Sequence, residues 1–286
     1  MTKTWFVTGA SRGIGAEIAR AALKHGDNVV ATGRDASRVA AAFETDTSRL
    51  LVLSLDVTRP DEVVDAVSSA MARFGAIDVL VNNAGYGQLG LFEEISPEAI
   101  ERQFATNVFG LMTVTRAVLP GMSQKRSGRI FNLSSVGGLT SSAGGSIYCS
   151  SKFAIEGFSE GLAAEVAPFG IGVTLVEPGY IRTDFLDETS VRFGDGAIAD
   201  YAETSAALQS AFASYSHRQP GDPKRLAAAI LELAGRDDAP LRFAAGSDAV
   251  EMIAAHMSEH KRELDAWSSL SLSTDGAFSS ELAADA

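Results

Sequence analysis

The sequence predicts a single α/β domain built on one doubly wound parallel sheet of about seven strands. Short β-rich runs alternate with longer helical patterns along most of the 286 residues. Most of these runs are continuously apolar, which is typical of strands that helices cover on both faces. Repeated strand–helix units also favour right-handed crossovers within one sheet. The fold class follows from these observations before any single motif is considered.

The expected elements follow one another in chain order. The predicted strands are Trp5–Thr8, Asn28–Thr32, Leu50–Leu55, Asp78–Asn82, Arg129–Leu133, Gly172–Val176 and Leu241–Ala244. The predicted helices are 13–25, 36–45, 59–74, 97–120, 151–167 and 223–235. Two of these helices have a clear start signal, because Ser96 and Asp222 each precede a proline at the first helical position.

Two segments depart from this alternation. Residues 179–221 form a long insertion before the last strand, and a further helix is expected in it. Its evidence is a helical spacing of Tyr201, Ser205, Leu208, Phe212 and Tyr215. Residues 268–286 have no Lys or Arg and are rich in Ser, Ala and Asp, which predicts an acidic, flexible tail. The domain is therefore expected to span residues 1–267.

Charge and cysteine content exclude several classes of protein. The 24 basic and 36 acidic residues give a net charge of −12, which opposes binding to a polyanion. Residues 1–10 do not resemble a secretion signal, and no run approaches the ~18 apolar residues of a membrane span. Cys149 is the single cysteine, so an internal disulfide is excluded. We expect a cytoplasmic protein with no nucleic-acid or membrane partner.

A glycine-rich loop directly follows the first predicted strand. It reads Thr8-Gly9-Ala10-Ser11-Arg12-Gly13-Ile14-Gly15, and a helical pattern begins at once. Glycines permit a tight turn and a close approach of the backbone to a pyrophosphate, which the first N–H groups of the helix then bind. The spacing is G-x-x-x-G-x-G rather than the common G-x-G-x-x-G. A purely structural turn is the alternative, but the position after strand one favours a dinucleotide site.

The end of the second strand bears on the choice of dinucleotide. An acidic residue there usually binds the adenosine ribose of NAD, whereas an arginine pairs with the 2′-phosphate of NADP. Gly33 stands where the carboxylate is expected, and Arg34 follows it. Arg12 in the glycine loop would supply a second guanidinium for the phosphate. NADP(H) is therefore favoured; Asp35 keeps NAD(H) as the alternative, and solvated surface charges are the simpler interpretation of both arginines.

Three further residues indicate proton chemistry. Tyr148 and Lys152 are four residues apart, which places them on one face of a helix. A nearby positive charge lowers the pKa of a phenol, so that it exchanges protons more readily. Ser135 lies at the carboxyl end of the fifth strand, where ligands of open parallel sheets bind. A hydroxyl there would hold a substrate oxygen against the tyrosine.

Taken in order, these motifs resemble the short-chain dehydrogenase/reductase family over residues 4–245. The markers are Thr8-Gly9, Gly13 and Gly15, then Asn82-Asn83-Ala84-Gly85, Asn107, Ser135, Tyr148 with Lys152, and Pro178-Gly179 followed by Thr183. The segments around Ser135 and Tyr148 are most similar to the branch of steroid 17β- and retinol dehydrogenases. The resemblance implies a Rossmann-type sheet and an NADP-preferring oxidoreductase that acts on a carbonyl or an alcohol.

The resemblance also implies a role for each catalytic residue. Tyr148 would be the general acid when a carbonyl is reduced and the general base when an alcohol is oxidised. Lys152 would hold the nicotinamide ribose and lower the pKa of the tyrosine. Ser135 would polarise the carbonyl, and Asn107 would position a water that links Lys152 to solvent. A surface position on its helix is the alternative for Asn107.

A larger set of residues is implied to hold the cofactor. Asp56 would bind the adenine amino group and Thr183 the carboxamide, with helix or turn capping as the alternative for both. The whole set is Gly9, Ser11, Arg12, Gly13, Ile14, Gly15, Arg34, Asp56, Val57, Asn83, Ala84, Gly85, Tyr148, Lys152, Pro178, Gly179, Ile181 and Thr183. The resemblance further implies a homodimer or homotetramer, for which the helices at 97–120 and 151–167 would supply an interface.

The expected substrate is a medium-sized, largely apolar carbonyl compound or secondary alcohol. Its pocket is expected to lie under the insertion, which would act as a helical lid with Gly194 and Gly196 as hinges. The predicted apolar wall is Tyr86, Leu89, Leu91, Phe92, Leu139, Phe185, Leu186, Phe193 and Tyr201.

Other functions fit the sequence less well. A non-catalytic NADP(H)-binding sensor on the same fold would not need the serine, tyrosine and lysine set. A sugar epimerase of the family's longer branch would need a different glycine loop and a larger substrate domain. His256 and His260 belong to an H-x-x-E-H pattern, but their polar surroundings favour a solvated helix, and no metal is expected. Cys149 is interpreted as a packing residue.

Overall fold

The computed structural model describes residues 2–43, 48–187 and 190–276. Its strands are β1 (Thr4–Val7), β2 (Asn28–Gly33), β3 (Leu50–Ser54), β4 (Val79–Asn82), β5 (Gly87–Gln88), β6 (Gly128–Leu133), β7 (Ile171–Pro178), β8 (Val191–Arg192) and β9 (Arg242–Ala245). Its α-helices are α1 (Gly13–His25), α2 (Ala36–Ala40), α3 (Pro60–Phe74), α4 (Pro97–Phe104), α5 (Leu111–Lys125), α6 (Ser146–Val166), α7 (Ala202–Tyr215), α8 (Pro223–Ala234) and α9 (Ser247–Leu272).

Seven strands form one parallel sheet in the order β3-β2-β1-β4-β6-β7-β9. Helices cover both faces, as the continuously apolar strands predict. In β1, Trp5 and Val7 pack on the face covered by α1 and α8, whereas Phe6 packs on the face covered by α3, α5 and α6. Alternate side chains of one strand thus enter two separate cores. The predicted fold class is confirmed.

The order of the strands creates a crevice at the carboxyl edge of the sheet. The chain moves outward from β1 through β2 to β3, then returns to place β4 on the other side of β1. Loops that leave β1 and β4 therefore diverge at this point. Ligands of open α/β sheets bind at such a reversal of strand order.

Each of the seven predicted strands is present with its ends shifted by at most two residues, but three helices differ from expectation. Helix α2 ends at Ala40 instead of residue 45, and residues 44–47 lie outside the described residues. Helix α6 begins at Ser146 instead of residue 151, so Tyr148 already lies in its first turn. The single helix expected at 97–120 is α4 and α5 joined by a π-helical segment, Ala105–Gly110. Such a wide turn has no signature in hydrophobic periodicity.

The insertion at 179–221 is closed at its neck. Ile181 and Gly221 form a parallel bridge, in which Arg182 N donates to Gly221 O at 2.9 Å and Gly221 N donates to Tyr180 O at 3.0 Å. Beyond the neck the insertion contains the predicted helix, α7, and the short strand β8. Strand β8 pairs with β5, a two-stranded sheet that the sequence analysis missed.

The last helix extends beyond the expected end of the domain. Helix α9 runs to Leu272, so the boundary expected after Trp267 falls inside it. Ala249 is its one fully buried residue within the described range, and the second half of the helix is exposed. Residues 277–286 of the expected tail lie outside the described residues. Across the described part of the chain, no helix is both long and apolar enough to cross a membrane.

Candidate active site

A cleft of about 660 Å³ lies at the carboxyl edge of the sheet. One end is formed by the glycine loop after β1 and by residues that follow β2 and β3. The other end is formed by the segment after β6, the first turn of α6 and the insertion. All these elements meet where the strand order reverses, which is the expected place for a ligand.

The glycine loop has the conformation that an anion site requires. Gly9 and Gly13 have φ angles of +66° and +58°, which favour glycine. A Cβ on Gly15 would lie 2.5 Å from Gly9 O and 2.4 Å from Asn83 Nδ2, so no side chain fits there. Helix α1 has no side-chain cap and no acidic residue in its first turn. Its N-terminal N–H groups therefore suit a pyrophosphate.

Hydrogen bonds fix the loop against β4. The Thr8 hydroxyl accepts from Asn83 N and Ala84 N, each at 3.0 Å. Asn83 Nδ2 donates in return to Thr8 O at 2.9 Å and to Gly9 O at 3.0 Å. The segments that leave β1 and β4 are thus joined by hydrogen bonds into one cradle.

The adenosine end of the cleft places Arg34 and Asp35 differently. Arg34 lines the cleft. Asp35 caps α2 instead, because its Oδ1 accepts from Ser37 N at 2.9 Å and from Ser37 Oγ at 2.6 Å. These hydrogen bonds, led by that of the Ser37 hydroxyl, lower the pKa of Asp35. The Asp35 carboxylate therefore accepts its hydrogen bonds from the first turn of α2.

Ser135, Tyr148 and Lys152 converge at the other end of the cleft. Ser135 Oγ accepts from Gly137 N at 3.0 Å, which fixes the serine in the turn after β6. Lys152 is 8% exposed, and its Nζ donates to Leu133 O at 2.6 Å. The same Nζ lies 5.8 Å from the centroid of the Tyr148 ring. The helical spacing of four residues therefore brings the phenol and the ammonium together, as predicted.

The electrostatics differ in part from the expectation for Tyr148. Burial raises the pKa of the phenol, and a hydrogen bond with Ser135 opposes that shift. Lys152 was expected to lower this pKa, but its ammonium is directed at Leu133 O and is not among the groups that shift it. Burial also lowers the pKa of Lys152 to about 8, against the attraction of Glu156. Tyr148 thus carries its proton at neutral pH.

A model of the family of short chain dehydrogenases matches residues 3–192. The chain belongs to this family. The oxidoreductase BOA17 of Botryotinia fuckeliana is 38% identical over 279 residues, which cover 96% of this chain and 100% of the relative. Human retinol dehydrogenase 8 is 42% identical over 191 residues, 64% of this chain and 60% of that protein.

Solved structures give the same result. The crystal structure of a short-chain dehydrogenase from Streptomyces avermitilis has a TM-score of 0.87 and 41% identity, covering 96% of this chain and 100% of that chain. Serine dehydrogenase complexed with NADP+ has a TM-score of 0.71 and 28% identity, covering 84% of this chain and 92% of that chain. The present chain is therefore an oxidoreductase of this family.

In this short-chain dehydrogenase, the residues predicted for catalysis or for cofactor binding lie together along the cleft, with two exceptions. Gly9, Ser11, Arg12, Gly13, Ile14, Arg34, Asp56, Val57, Asn83, Ala84, Gly85, Ser135, Tyr148, Lys152, Pro178, Gly179, Ile181 and Thr183 all line it. Gly15 and Asn107 do not. Gly15 packs behind the glycine loop against Gly9 O and Asn83.

Two of the lining residues also have local structural roles. Asp56 Oδ1 accepts from Thr58 N at 3.0 Å and from Thr58 Oγ1 at 2.8 Å, which closes the turn after β3. Thr183 Oγ1 accepts from Phe185 N at 3.2 Å and caps a short 3₁₀ turn in the insertion. The capping alternative is thus present for both residues, together with a position on the cleft.

Asn107 lies in the π-helical segment and is 2% exposed, which excludes the alternative of a surface asparagine. Its Nδ2 donates to Tyr86 O at 3.0 Å and to Ser151 Oγ at 3.3 Å. Its Oδ1 accepts from Tyr86 N at 3.2 Å. Asn107 therefore joins the loop after β4 to α6, one residue before Lys152.

The predicted apolar wall is only partly present. Tyr86, Leu89, Phe185 and Leu186 line the cleft, whereas Leu91, Phe92, Leu139, Phe193 and Tyr201 do not. Phe92 is 61% exposed, and Phe193 stacks on Phe212 with ring centroids 6.2 Å apart. The Tyr201 hydroxyl donates to the Glu93 carboxylate. Hydrophobicity identified the right segments but not which side chains of a loop turn inward.

Other lining residues were missed. Phe212 comes from α7, Met252 from α9, and Arg102 and Arg192 lie near Tyr86. Arg192 holds its guanidinium carbon 5.6 Å from the centroid of the Tyr86 ring. The position of Arg192 depends on the pairing of β5 with β8, and Met252 lies far along the chain from Tyr148 and Lys152, in α9. No local sequence signal identifies either residue.

The structure gives no catalytic or metal-binding role to Cys149 or to the pair His256 and His260 within the described residues. Cys149 is buried, and burial raises the pKa of its thiol, which disfavours a nucleophilic thiolate. His256 and His260 both belong to α9, and their rings contact each other with centroids 4.3 Å apart. Over the described ranges, the one group of ligand atoms within 4.8 Å of one another is Asp184, Asp187 and His217, which does not include that pair.

Proposed function

We propose that this dehydrogenase transfers a hydride between NADP(H) and the carbonyl or secondary alcohol of a medium-sized, largely apolar substrate. The observation that carries the proposal is the convergence of Ser135, Tyr148 and Lys152 at one end of a cleft whose other end is a pyrophosphate cradle. The bound nicotinamide would supply or accept the hydride. The protein would supply orientation and the proton.

Each catalytic side chain has a separate task in this proposal. The Ser135 hydroxyl, fixed by Gly137 N, donates to the substrate oxygen and holds it near the phenol. Tyr148 gives its proton to that oxygen when a carbonyl is reduced, and takes the proton back when an alcohol is oxidised. The raised pKa of the phenol favours the protonated form at neutral pH, which suits reduction. Lys152 holds the ribose hydroxyls beside them.

The preference for NADP(H) is supported by the contrast between Arg34 and Asp35. Arg34 lines the adenosine end, where its planar guanidinium matches phosphate oxygens. The Asp35 carboxylate, which a ribose of NAD would need, is occupied as the cap of α2. Arg12 also lines this end, and its Nη2 donates to Ser190 Oγ of the insertion at 2.7 Å.

An apolar substrate is supported by the side chains beside Tyr148. The ring of Phe185 lies with its centroid 5.7 Å from that of Tyr148. Leu89, Leu186, Phe212 and Met252 extend the apolar lining from there. The relative named retinol dehydrogenase carries an alcohol substrate in its name, which agrees with chemistry on a hydroxyl group.

A substrate panel tests this proposal directly. Purified protein is incubated with NADPH or NADH and a series of ketones, aldehydes, alcohols and sugars, and the change in nicotinamide absorbance is measured. We expect turnover of hydrophobic carbonyl compounds with NADPH, and much slower turnover of sugars. Equal rates on sugars and hydrophobic ketones would contradict the proposed substrate class. Tight NADPH binding without any turnover would favour the sensor alternative.

We further propose a cytoplasmic homodimer or homotetramer. Phe109 of the π-helical segment and Phe153 of α6 are 59% and 45% exposed, on the helices expected to form an interface. Burial of two such rings against a second copy would remove apolar surface from water. Light scattering of the purified protein gives the mass of the assembly. The single cysteine supports a reducing compartment.

A further inference from the structure

Behind Lys152, two buried carboxylates share one arginine. Glu156 of α6 is 5% exposed, and Glu177 of β7 is 2% exposed. Arg242 of β9 lies between them, with its Nε 3.2 Å from Glu156 Oε2 and 3.7 Å from Glu177 Oε1. The same guanidinium also binds Glu160 on the surface. The Glu156–Glu177–Arg242 cluster therefore holds more buried negative charge than its arginine neutralises.

Burying a carboxylate costs free energy unless hydrogen bonds or opposite charges compensate for the lost water. An ionised carboxylate out of water needs partners, and Glu177 Oε1 has no hydrogen-bond partner among the described residues. Burial and the charge of Glu156 together raise the pKa of Glu177 to about 7, against the attraction of Arg242. The Glu177 carboxyl therefore keeps its proton to a higher pH than an exposed glutamate does. A purely structural role would be served as well by apolar side chains.

Glu156 is placed to act on the catalytic end of the cleft in two ways. It lies one helical turn after Lys152, so the two side chains share a face of α6. Its carboxylate also touches the turn after Ser135. A Cβ on Gly138 would lie 3.1 Å from Glu156 Oε1 and 2.5 Å from Ser134 Oγ, so only glycine fits between them.

The charges that face Lys152 and Glu156 are few. Lys152 lies beside Tyr148 on one side and Glu156 on the other. Glu156 faces Lys152 and Glu160 on its own helix, Glu177 on β7 and Arg242 on β9. Burial works against the ammonium of Lys152, and Glu156 is the charge that favours it. Glu156 is among the causes that shift the pKa of Lys152 and Glu177 is not, whereas the charges that shift the pKa of Glu177 are those of Glu156 and Arg242.

We propose that Glu156 is a positioning residue for Lys152, whose buried carboxylate keeps that side chain in its ammonium form. The inference rests on the proposed function, in which the Lys152 ammonium binds the ribose and supports proton transfer by Tyr148. Glu177 and Arg242 set how readily Glu156 itself keeps its negative charge. Glu156 thus acts through Lys152 and touches neither substrate nor cofactor.

The sign of the expected pH effect follows from the charges. The Lys152 ammonium is present below its pKa and is lost as the pH rises through about 8. Removing the negative charge of Glu156 lowers that pKa, because the carboxylate favours the charged form. NADPH binding and turnover should then fail at a lower pH than in the wild type. A residue that only stabilises the fold would lower activity without moving the pH at which it is lost.

The test compares Glu156→Gln with Glu177→Gln as a matched control. Glu177 is as deeply buried and faces the same Arg242, but its charge is not among those that shift the pKa of Lys152. We expect Glu156→Gln to move the alkaline limb of the turnover profile down by about one pH unit. Glu177→Gln should not lower that limb, because it removes a like charge beside Glu156 and so favours the ionised form of that carboxylate. The dissociation constant of NADPH, measured from pH 6 to pH 10 by fluorescence, should show the same shift without any need for turnover.

Two further variants keep the result decisive. Glu156→Met removes the charge without burying an unpaired amide, so it replaces Glu156→Gln if that variant does not fold. Glu156→Asp keeps the charge and should keep the alkaline limb nearer that of the wild type. An unshifted limb in folded Glu156→Gln and Glu156→Met would overturn the proposal, as would an equal shift in Glu177→Gln. Absence of turnover in the wild type would refute the proposed function instead, while the binding curves still test Glu156.

Discussion

The catalytic edge of the sheet, formed by Ser135, Tyr148 and Lys152, and the 179–221 insertion line the same cleft but are held differently. Lys152 is tied directly to the core, because its Nζ donates to Leu133 O of the central strand β6. The insertion is held by a bridge at its neck, a two-residue strand pairing and a few side chains, and α7 has no buried residue. In the proposed function, the chemistry thus belongs to the packed core, and the lightly attached insertion would select the substrate.

The largest expected effect tests the core side of this comparison. Tyr148→Phe removes the acidic proton and leaves the ring in place beside Phe185. We expect NADPH-linked turnover to fall by about 10²- to 10⁴-fold, the range that general acid–base catalysis contributes. The dissociation constant of NADPH should change little. Tyr180→Phe, which also removes a hydroxyl at the cleft, serves as the control, and near-native turnover in Tyr148→Phe would remove Tyr148 from the mechanism.

A second variant tests how much Arg34, at the cofactor end of the cleft, contributes to the affinity for NADPH. Arg34→Ala should weaken NADPH binding by about 10- to 100-fold, the worth of a hydrogen bond to a charged group. NADH binding should be nearly unchanged, since it lacks the 2′-phosphate. Arg38→Ala is the control, because Arg38 is exposed and pairs with Asp35 outside the cleft. Equal losses for both cofactors would favour the interpretation of Asp35 as the NAD residue.

The smallest effect concerns the insertion. Glu94 is 7% exposed and holds the insertion to the body: its carboxylate accepts from the Ser205 hydroxyl and from Ile198 N at 3.3 Å. Glu94→Ala should raise the KM for the carbonyl substrate by about two- to tenfold, the worth of one hydrogen bond, with little change in kcat. Glu98→Ala, on the exposed face of α4, should leave both constants unchanged.

If Glu94→Ala lowered kcat as much as Tyr148→Phe does, the proposed separation of catalysis in the core from substrate selection by the insertion would be wrong. It would mean that the insertion orders the catalytic side chains as well as the substrate. Gly194 and Gly196, which were expected as hinges, lie where the insertion meets Glu94. Both pack directly on Glu94, and Gly196 N donates to Glu94 O at 2.8 Å.

The difference between core and insertion also explains what the sequence could predict. Strands such as β1 are buried on both faces, so their apolar runs are unbroken and their ends are sharp. Tyr148 and Lys152 are local to one helix, so their spacing alone places them together. Arg34 and Asp35 were ambiguous as a pair, and only the capping of α2 by Asp35 separates them.

The remaining features depend on contacts between distant segments. Strand β8 has two residues and forms by pairing with β5, in which Gly87 is the partner of Val191 and Gln88 the partner of Arg192. Arg192 reaches the cleft through that pairing, and Met252 reaches it from α9. The charge relation of Glu156 to Glu177 and Arg242 joins three separate elements. No periodicity or local motif carries such information.

The π-helical segment Ala105–Gly110 is a place where the length of the chain can change without a change in the fold. A wide turn takes up an extra residue while α4 and α5 continue on either side of it. A related chain that is one residue shorter here would close into a regular helix and keep the same packing against the sheet. It would lose only the presentation of Asn107 to Tyr86 and Ser151. A single gap at this point of an alignment therefore marks a chain that has kept the fold but altered the support of its active site.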